Sequence, residues 1–192
     1  MIFFFRGLFT LNTIILRLGR KLAWISIGLM VIMILIQVFF RYGLNSALPW
    51  PDEAARFFML WMTGLIAPSA YRWGGFVSIE MLFNILPSKI IKVLTLILLM
   101  ISLMVLIVGL DFGIKHVDSG WLFESSSMKW PLFLIGIESS KIKLAWMYMS
   151  IPVGLLMMTL VNIELILKNF ILIFNPKIEL PKDPDLTKSE NN

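Results

Sequence analysis

Cysteine is absent from this 192-residue chain, histidine occurs once, and charge of either sign is scarce. Without cysteine there are no disulfides, no thiolate metal sites and no thiol nucleophile. One histidine, His116, is too few for a bis-histidine haem anchor, and its polar surroundings read as a loop with a solvated ring. No phosphate-binding glycine loop and no HExxH occurs. Ser125, Ser126 and Ser127 form a serine run with no histidine placed to activate it. Charged residues make up 15% of the chain and hydrophobic residues 58%, with mean hydropathy +0.86. A soluble domain is about a quarter charged. Too little polar surface remains to cover a soluble globule, so lipid must solvate most of the chain.

What is present is a set of bilayer-length apolar runs with charges and aromatic residues at their ends. Residues 22–40 form the first; at about 1.5 Å per residue they reach roughly 28 Å, near the hydrocarbon thickness. Further spans are expected at 52–72, 90–110 and 144–168. Before the first span, Arg6, Thr10, Thr13, Arg17 and Arg20 recur at spacings of three and four, opposite Phe4, Phe5, Leu8, Leu11, Ile15 and Leu18. That pattern predicts an amphipathic interfacial helix over 1–21, the alternative being a frayed basic flank of the first span. Gly74-Gly75 breaks the chain after the second span. Within the 73–89 segment, Glu80, Asn84 and Ser88 then line one face of a second short interfacial helix ended by Pro87. Residues 111–143 read as a long loop and 169–192 as a tail, disordered from about Pro181 onward. Pro68 should kink or loosen the second span.

Charge sets the orientation. The N-terminal segment, the 72–92 connection and the tail together with Lys168 at its start hold eleven of the seventeen Lys and Arg residues. By the positive-inside rule both termini are cytoplasmic. The 41–51 turn and the 111–143 loop then face outward, and both interfacial helices meet anionic lipid. Arg6, Arg17, Arg20, Lys21, Trp24, Trp50, Arg72 and Trp73 are the expected interfacial anchors. The fold class is thus all-α integral membrane, four transmembrane helices with short interfacial helices and both termini inside.

Within the spans little chemistry is offered. None has an ionisable group near its middle, as an independent transporter or proton relay needs, and none has a paired mid-membrane helix break. Gln37 either bonds a neighbouring helix or meets headgroups. Glu164 and Lys168, four apart, read as an interfacial pair. Pro49-Trp50-Pro51 restarts a helix whose first turn carries Asp52 and Glu53, favourable at the positive end of the helix dipole. Both acids are within reach of Arg56. This turn is either a helix start with local ion pairs or, with Arg41, a contact patch for a partner. No catalytic or metal-ligating residue, cofactor or nucleic-acid site is assigned, so an enzyme is not expected. The residues describe a scaffold or accessory subunit of a larger membrane complex. One alternative is a membrane anchor for a redox or signalling enzyme.

One stretch carries the reading further. It contains Phe40-Arg41-Tyr42, then Pro49-Trp50-Pro51-Asp52-Glu53-Ala54-Ala55-Arg56 and Trp61. Ala70-Tyr71-Arg72-Trp73-Gly74-Gly75-Phe76-Val77-Ser78-Ile79-Glu80 follows, with a weaker echo at Trp146-Met147-Tyr148-Met149-Ser150-Ile151-Pro152-Val153-Gly154. Together these resemble the small membrane subunit of TRAP (tripartite ATP-independent periplasmic) transporters, over about residues 20–168. The chain departs from that pattern at Phe76, at Pro68 and in the length of the 111–143 loop. The resemblance implies a bacterial inner-membrane, cation-coupled importer of organic acids with three parts. A periplasmic substrate-binding protein captures the solute. A large membrane subunit carries the substrate and Na⁺ sites, so no cofactor or ion is expected in this chain. The small subunit braces the static scaffold, and Arg41, Asp52, Glu53 and Arg56 become candidates for contact with either partner.

Overall fold

In a computed structural model of the chain, residues 2–74, 88–129, 141–174 and 181 are described. Helix α1 runs Ile2–Val38 and continues through a π-helical turn, Phe39–Gly43. Helix α2 is Trp50–Arg72, α3 is Ser88–Gly120, α4 is the single turn Ala145–Tyr148, and α5 is Ser150–Phe174. Strands β1 (Glu124–Lys129) and β2 (Lys141–Lys143) pair antiparallel. Among the described residues, three helical stretches are long and apolar enough to cross a membrane: Ile2–Gly43, Ile90–Gly120 and Ala145–Phe174. Helix α2 is not among them; its run is diluted by Thr63, Gly64, Pro68 and Ser69.

Two segments differ from the sequence reading. The interfacial helix expected over 1–21 and the span expected over 22–40 are parts of one helix, since α1 passes through both without interruption. No proline interrupts it, and Gly19 is held where a Cβ would lie 3.2 Å from the Leu65 carbonyl oxygen. The 111–143 segment is not all loop. Its first ten residues extend α3 as far as Gly120, braced by a Lys115–Asp111 pair at 2.6 Å one turn apart. Serines 125–127 then lie on β1, so the chain is mostly helical rather than all-α. His116 consequently sits on a helix, exposed, with its ring 4.2 Å from that of Tyr148. Helix α2 continues through Pro68, which is buried, to Arg72. The second interfacial helix expected over 76–88 falls almost wholly outside the described residues, as does nearly all of the tail beyond Phe174.

Helices α1, α2 and α5 enclose the core: Leu16, Ala23, Leu65, Tyr71, Met157 and Val161, with Trp61, Ile66, Val153 and Leu165 around it. The buried stripe of α1 includes Asn12, Leu16, Gly19, Ala23 and Ser26. Its alternating steps of four and three mark a helix packed along its length. Two backbones meet where side chains vanish. A Cβ at Gly64 would lie 2.5 Å from the Ser150 carbonyl oxygen, and one at Gly154 would lie 2.7 Å from that of Gly64. Small residues that allow such contact are the usual glue between membrane helices. Helix α3 packs along α5 through Gly109 against Leu155 and Gly113 against Pro152. It leaves the rest of its apolar surface exposed.

Candidate functional site

At the end of the bundle where α2 begins, the acidic turn is divided. Asp52 pairs with Arg56 at 2.9 Å, both side chains exposed. Glu53 does not join them. Its carboxylate accepts bonds from the Ser127 amide (3.0 Å) and hydroxyl and, more weakly, from the Ser126 amide (3.3 Å) and hydroxyl. The reason is geometric: β1 passes over the first turn of α2 and offers two successive N–H groups and two hydroxyls to Glu53, while the Arg56 guanidinium is taken by Asp52. Glu53 therefore pins the hairpin to α2. The hairpin is also closed by Lys143 on Glu124 at 2.9 Å. That bond holds the Glu124 carboxyl below its ordinary value. Arg41, in the π-helical turn, lies exposed over the Tyr42 ring at 5.7 Å. Trp50 is partly exposed nearby in sequence, and Trp61 donates its indole N–H to the Trp146 carbonyl at 3.1 Å.

The second site is internal and was not anticipated. Arg72, expected as a surface anchor, is buried. It donates to Glu164 through Nε (3.0 Å) and a terminal nitrogen (2.8 Å), their side chains only 4% and 3% exposed. Its other terminal nitrogen donates to Thr13 at 2.9 Å, and the guanidinium lies over the Phe9 ring at 4.5 Å. Asn12 donates to the second Glu164 oxygen at 2.7 Å and to the Leu160 carbonyl at 3.1 Å. Beside it, Asn162 donates to the Tyr71 hydroxyl at 2.6 Å. Glu164 is thus the partner of Arg72 and Asn12, not one half of a surface pair with Lys168. Because α5 continues to Phe174, Glu164 is interior to an apolar helix rather than at its end. A buried carboxylate inside such a helix needs a cationic partner. Arg72, closing the second apolar run, was the sequence signal for it.

The remaining anchors divide by burial. Arg6, Arg17, Lys21 and Trp24 are exposed along α1. Arg20 is half-buried, donates to Ser69 at 3.2 Å and lies over the Trp73 ring at 4.8 Å. So the polar stripe of α1 turns partly inward: Thr13 and Arg20 meet α2, whereas Leu11, Ile14 and Leu18 are exposed. Lys92 donates to the Leu172 carbonyl at 3.0 Å, in the last turn of α5, where the final carbonyls have no intrahelical donors. A groove of about 370 Å³ beside α3 is lined by Ile90, Val93, Leu94 and Ile97, none of which could orient a polar solute.

These features describe helices pinned to one another by a neutralised ion pair, with a short hairpin clamped over one end. The family profile described as "Tripartite ATP-independent periplasmic transporters, DctQ component" matches residues 30–171. The chain belongs to this DctQ family. A curated protein of Haemophilus influenzae, named for the small permease of a TRAP transporter, is 31% identical over 86 residues. The match takes in 43% of this chain and 53% of that relative, so the chain spans about half the length of the curated relative it matches. The DctQ match covers the Arg41–Arg56 turn, Arg72 and Glu164 alike.

Proposed function

We propose that this chain is the small, static subunit of a cation-coupled, binding-protein-dependent importer of organic acids in the bacterial inner membrane. Four spans cross the bilayer, α2 being the fourth, with both termini cytoplasmic. The observation that carries the reading is the internal pin: Glu164 is committed to Arg72 and Asn12, leaving it unsuited to binding a moving ion. A stator needs helices locked to one another, and a buried, fully bonded ion pair resists sliding because each step would strand a charge. Substrate and Na⁺ sites then belong to a large membrane partner. The exposed Asp52–Arg56 pair and Arg41 form the outward patch for that partner or for a periplasmic binding protein. Glu53 contributes by holding the hairpin beside them.

The test is reconstitution. The chain alone in proteoliposomes should give no organic-acid flux, while flux should appear with its large subunit and binding protein; substantial flux from the chain alone would overturn the stator reading. Asp52→Lys, which leaves the Glu53 clamp in place, should lower uptake several-fold without loss of the membrane complex. Unchanged uptake would remove the docking role.

A further inference from the structure

Contacts between helices fix their relative heights, and these heights disagree with where each helix changes from apolar to charged. Helix α5 is the common ruler. On one side, Asn12 meets Leu160 and Glu164, and a Cβ at Gly19 would lie 3.2 Å from Met157. On the other, Lys92 reaches the Leu172 carbonyl, while a Cβ at Gly109 or Gly113 would lie 3.5 Å from Leu155 or Pro152. By these contacts Leu18 of α1, Leu156 of α5 and Ile107 of α3 share one height to within about a turn.

Their chemical positions differ. Leu18 lies among Arg17, Arg20 and Lys21, before the charge-free run 22–40 begins. Leu156 is near the middle of the run 144–163. Ile107 is near the outer end of 93–110, which Asp111 closes. Helix α2 falls between, since Gly64, central to the run 57–71, meets Ser150 and Gly154. The run midpoints therefore step from α1 through α2 and α5 to α3, in all by about 19 residues or roughly 28 Å. Adjacent helices are only about 8–10 Å apart, so flat headgroup planes perpendicular to the bundle axis cannot serve all of them.

We propose that the bundle crosses the bilayer obliquely, its helices inclined on the order of 40° from the normal, against about 20° for an average span. One inner plane then meets α1 near Lys21 and α3 near Lys92, and one outer plane meets them near Arg41 and Asp111, with the basic side chains snorkelling. Helix lengths agree. The candidate spans contain 42, 31 and 30 residues, whereas about 20 suffice for an upright crossing. The inclination also accounts for the unbroken α1, whose first turns leave the hydrocarbon at a slant with Leu11 and Leu18 still facing lipid.

This inference rests on the four-span reading, and its test separates the two. The chain has no cysteine, so Leu18→Cys, Leu156→Cys and Ile107→Cys give single attachment points, at side chains 58%, 52% and 57% exposed. Each full-length variant is nitroxide-labelled in phospholipid vesicles and its depth read from accessibility to oxygen and to a water-soluble nickel chelate. Leu156 should be deepest, with Leu18 and Ile107 nearer opposite surfaces and roughly 12 Å apart in depth. Equal depths for the three overturn the oblique placement. In parallel, Ser46→Cys and Trp73→Cys, flanking α2, should react with an impermeant maleimide from opposite sides. Reaction from the same side overturns the four-span reading and the oblique bundle with it; opposite sides with equal depths overturn the inclination alone.

Discussion

At the scale of single residues, Arg72 and Glu164 show how burial changes the meaning of a charge. Each side chain alone would be costly inside a helical bundle. Together, with Asn12 and Thr13 supplying the remaining bonds, they form a neutral unit joining three helices. Removing one partner leaves the other buried and unpaired, so Glu164→Leu should cost about 3–5 kcal/mol. Arg72→Met combined with Glu164→Leu should recover most of that loss. Thermal unfolding of the four-member mutant cycle checks both statements, with Lys168→Ala expected to move little. Glu53 behaves similarly on a smaller scale. Glu53→Ala deprives the Ser126 and Ser127 amides of their acceptor and should speed their hydrogen exchange. Asp52→Ala, which breaks an exposed pair worth about 0–1 kcal/mol, should leave that exchange unchanged.

Among elements, the closest constraint is the crossing of α2 and α5. A methyl group on Gly64 would lie 2.5 Å from a backbone oxygen, whereas one on Gly113 would meet Pro152 at an ordinary 3.5 Å. Gly64→Ala should therefore destabilise the bundle by about 1–3 kcal/mol through overpacking. Gly113→Ala should be neutral or slightly stabilising, since alanine is the better helix former. Denaturant titration in lipid nanodiscs would separate the two. The hairpin carries a pH dependence of definite sign. Lys143 holds Glu124 below the ordinary carboxylate value, so its contribution is complete above the ordinary range and is lost as pH falls through the lowered value. Strand protection at residues 124–129 should fall in acid, modestly, because the pair is exposed.

For the whole molecule, the chain is a DctQ-family component whose internal charges are spent on its own packing. Charge reversal at both ends of the pin, Arg72→Glu with Glu164→Arg, should retain assembly with the large subunit proposed above better than either single reversal. Co-purification of the complex reads this out. Equal loss in all three variants would mean that the pin's surroundings, rather than its charge balance, hold the helices.

The sequence by itself determined the solvent, the long apolar runs and the family, because lipid selects for run length and end charge, both visible in one dimension. It also placed Asp52 beside Arg56, since a four-residue spacing on one helix is local geometry. It could not show that α1 is one unbroken helix, that β1 crosses α2 to take Glu53, or that Glu164 turns from Lys168 to Arg72. These outcomes depend on which helix faces which, and at what height. Residues 12, 72 and 164 meet only after three helices pack, and only that packing decides whether a charged side chain is an anchor or a pin.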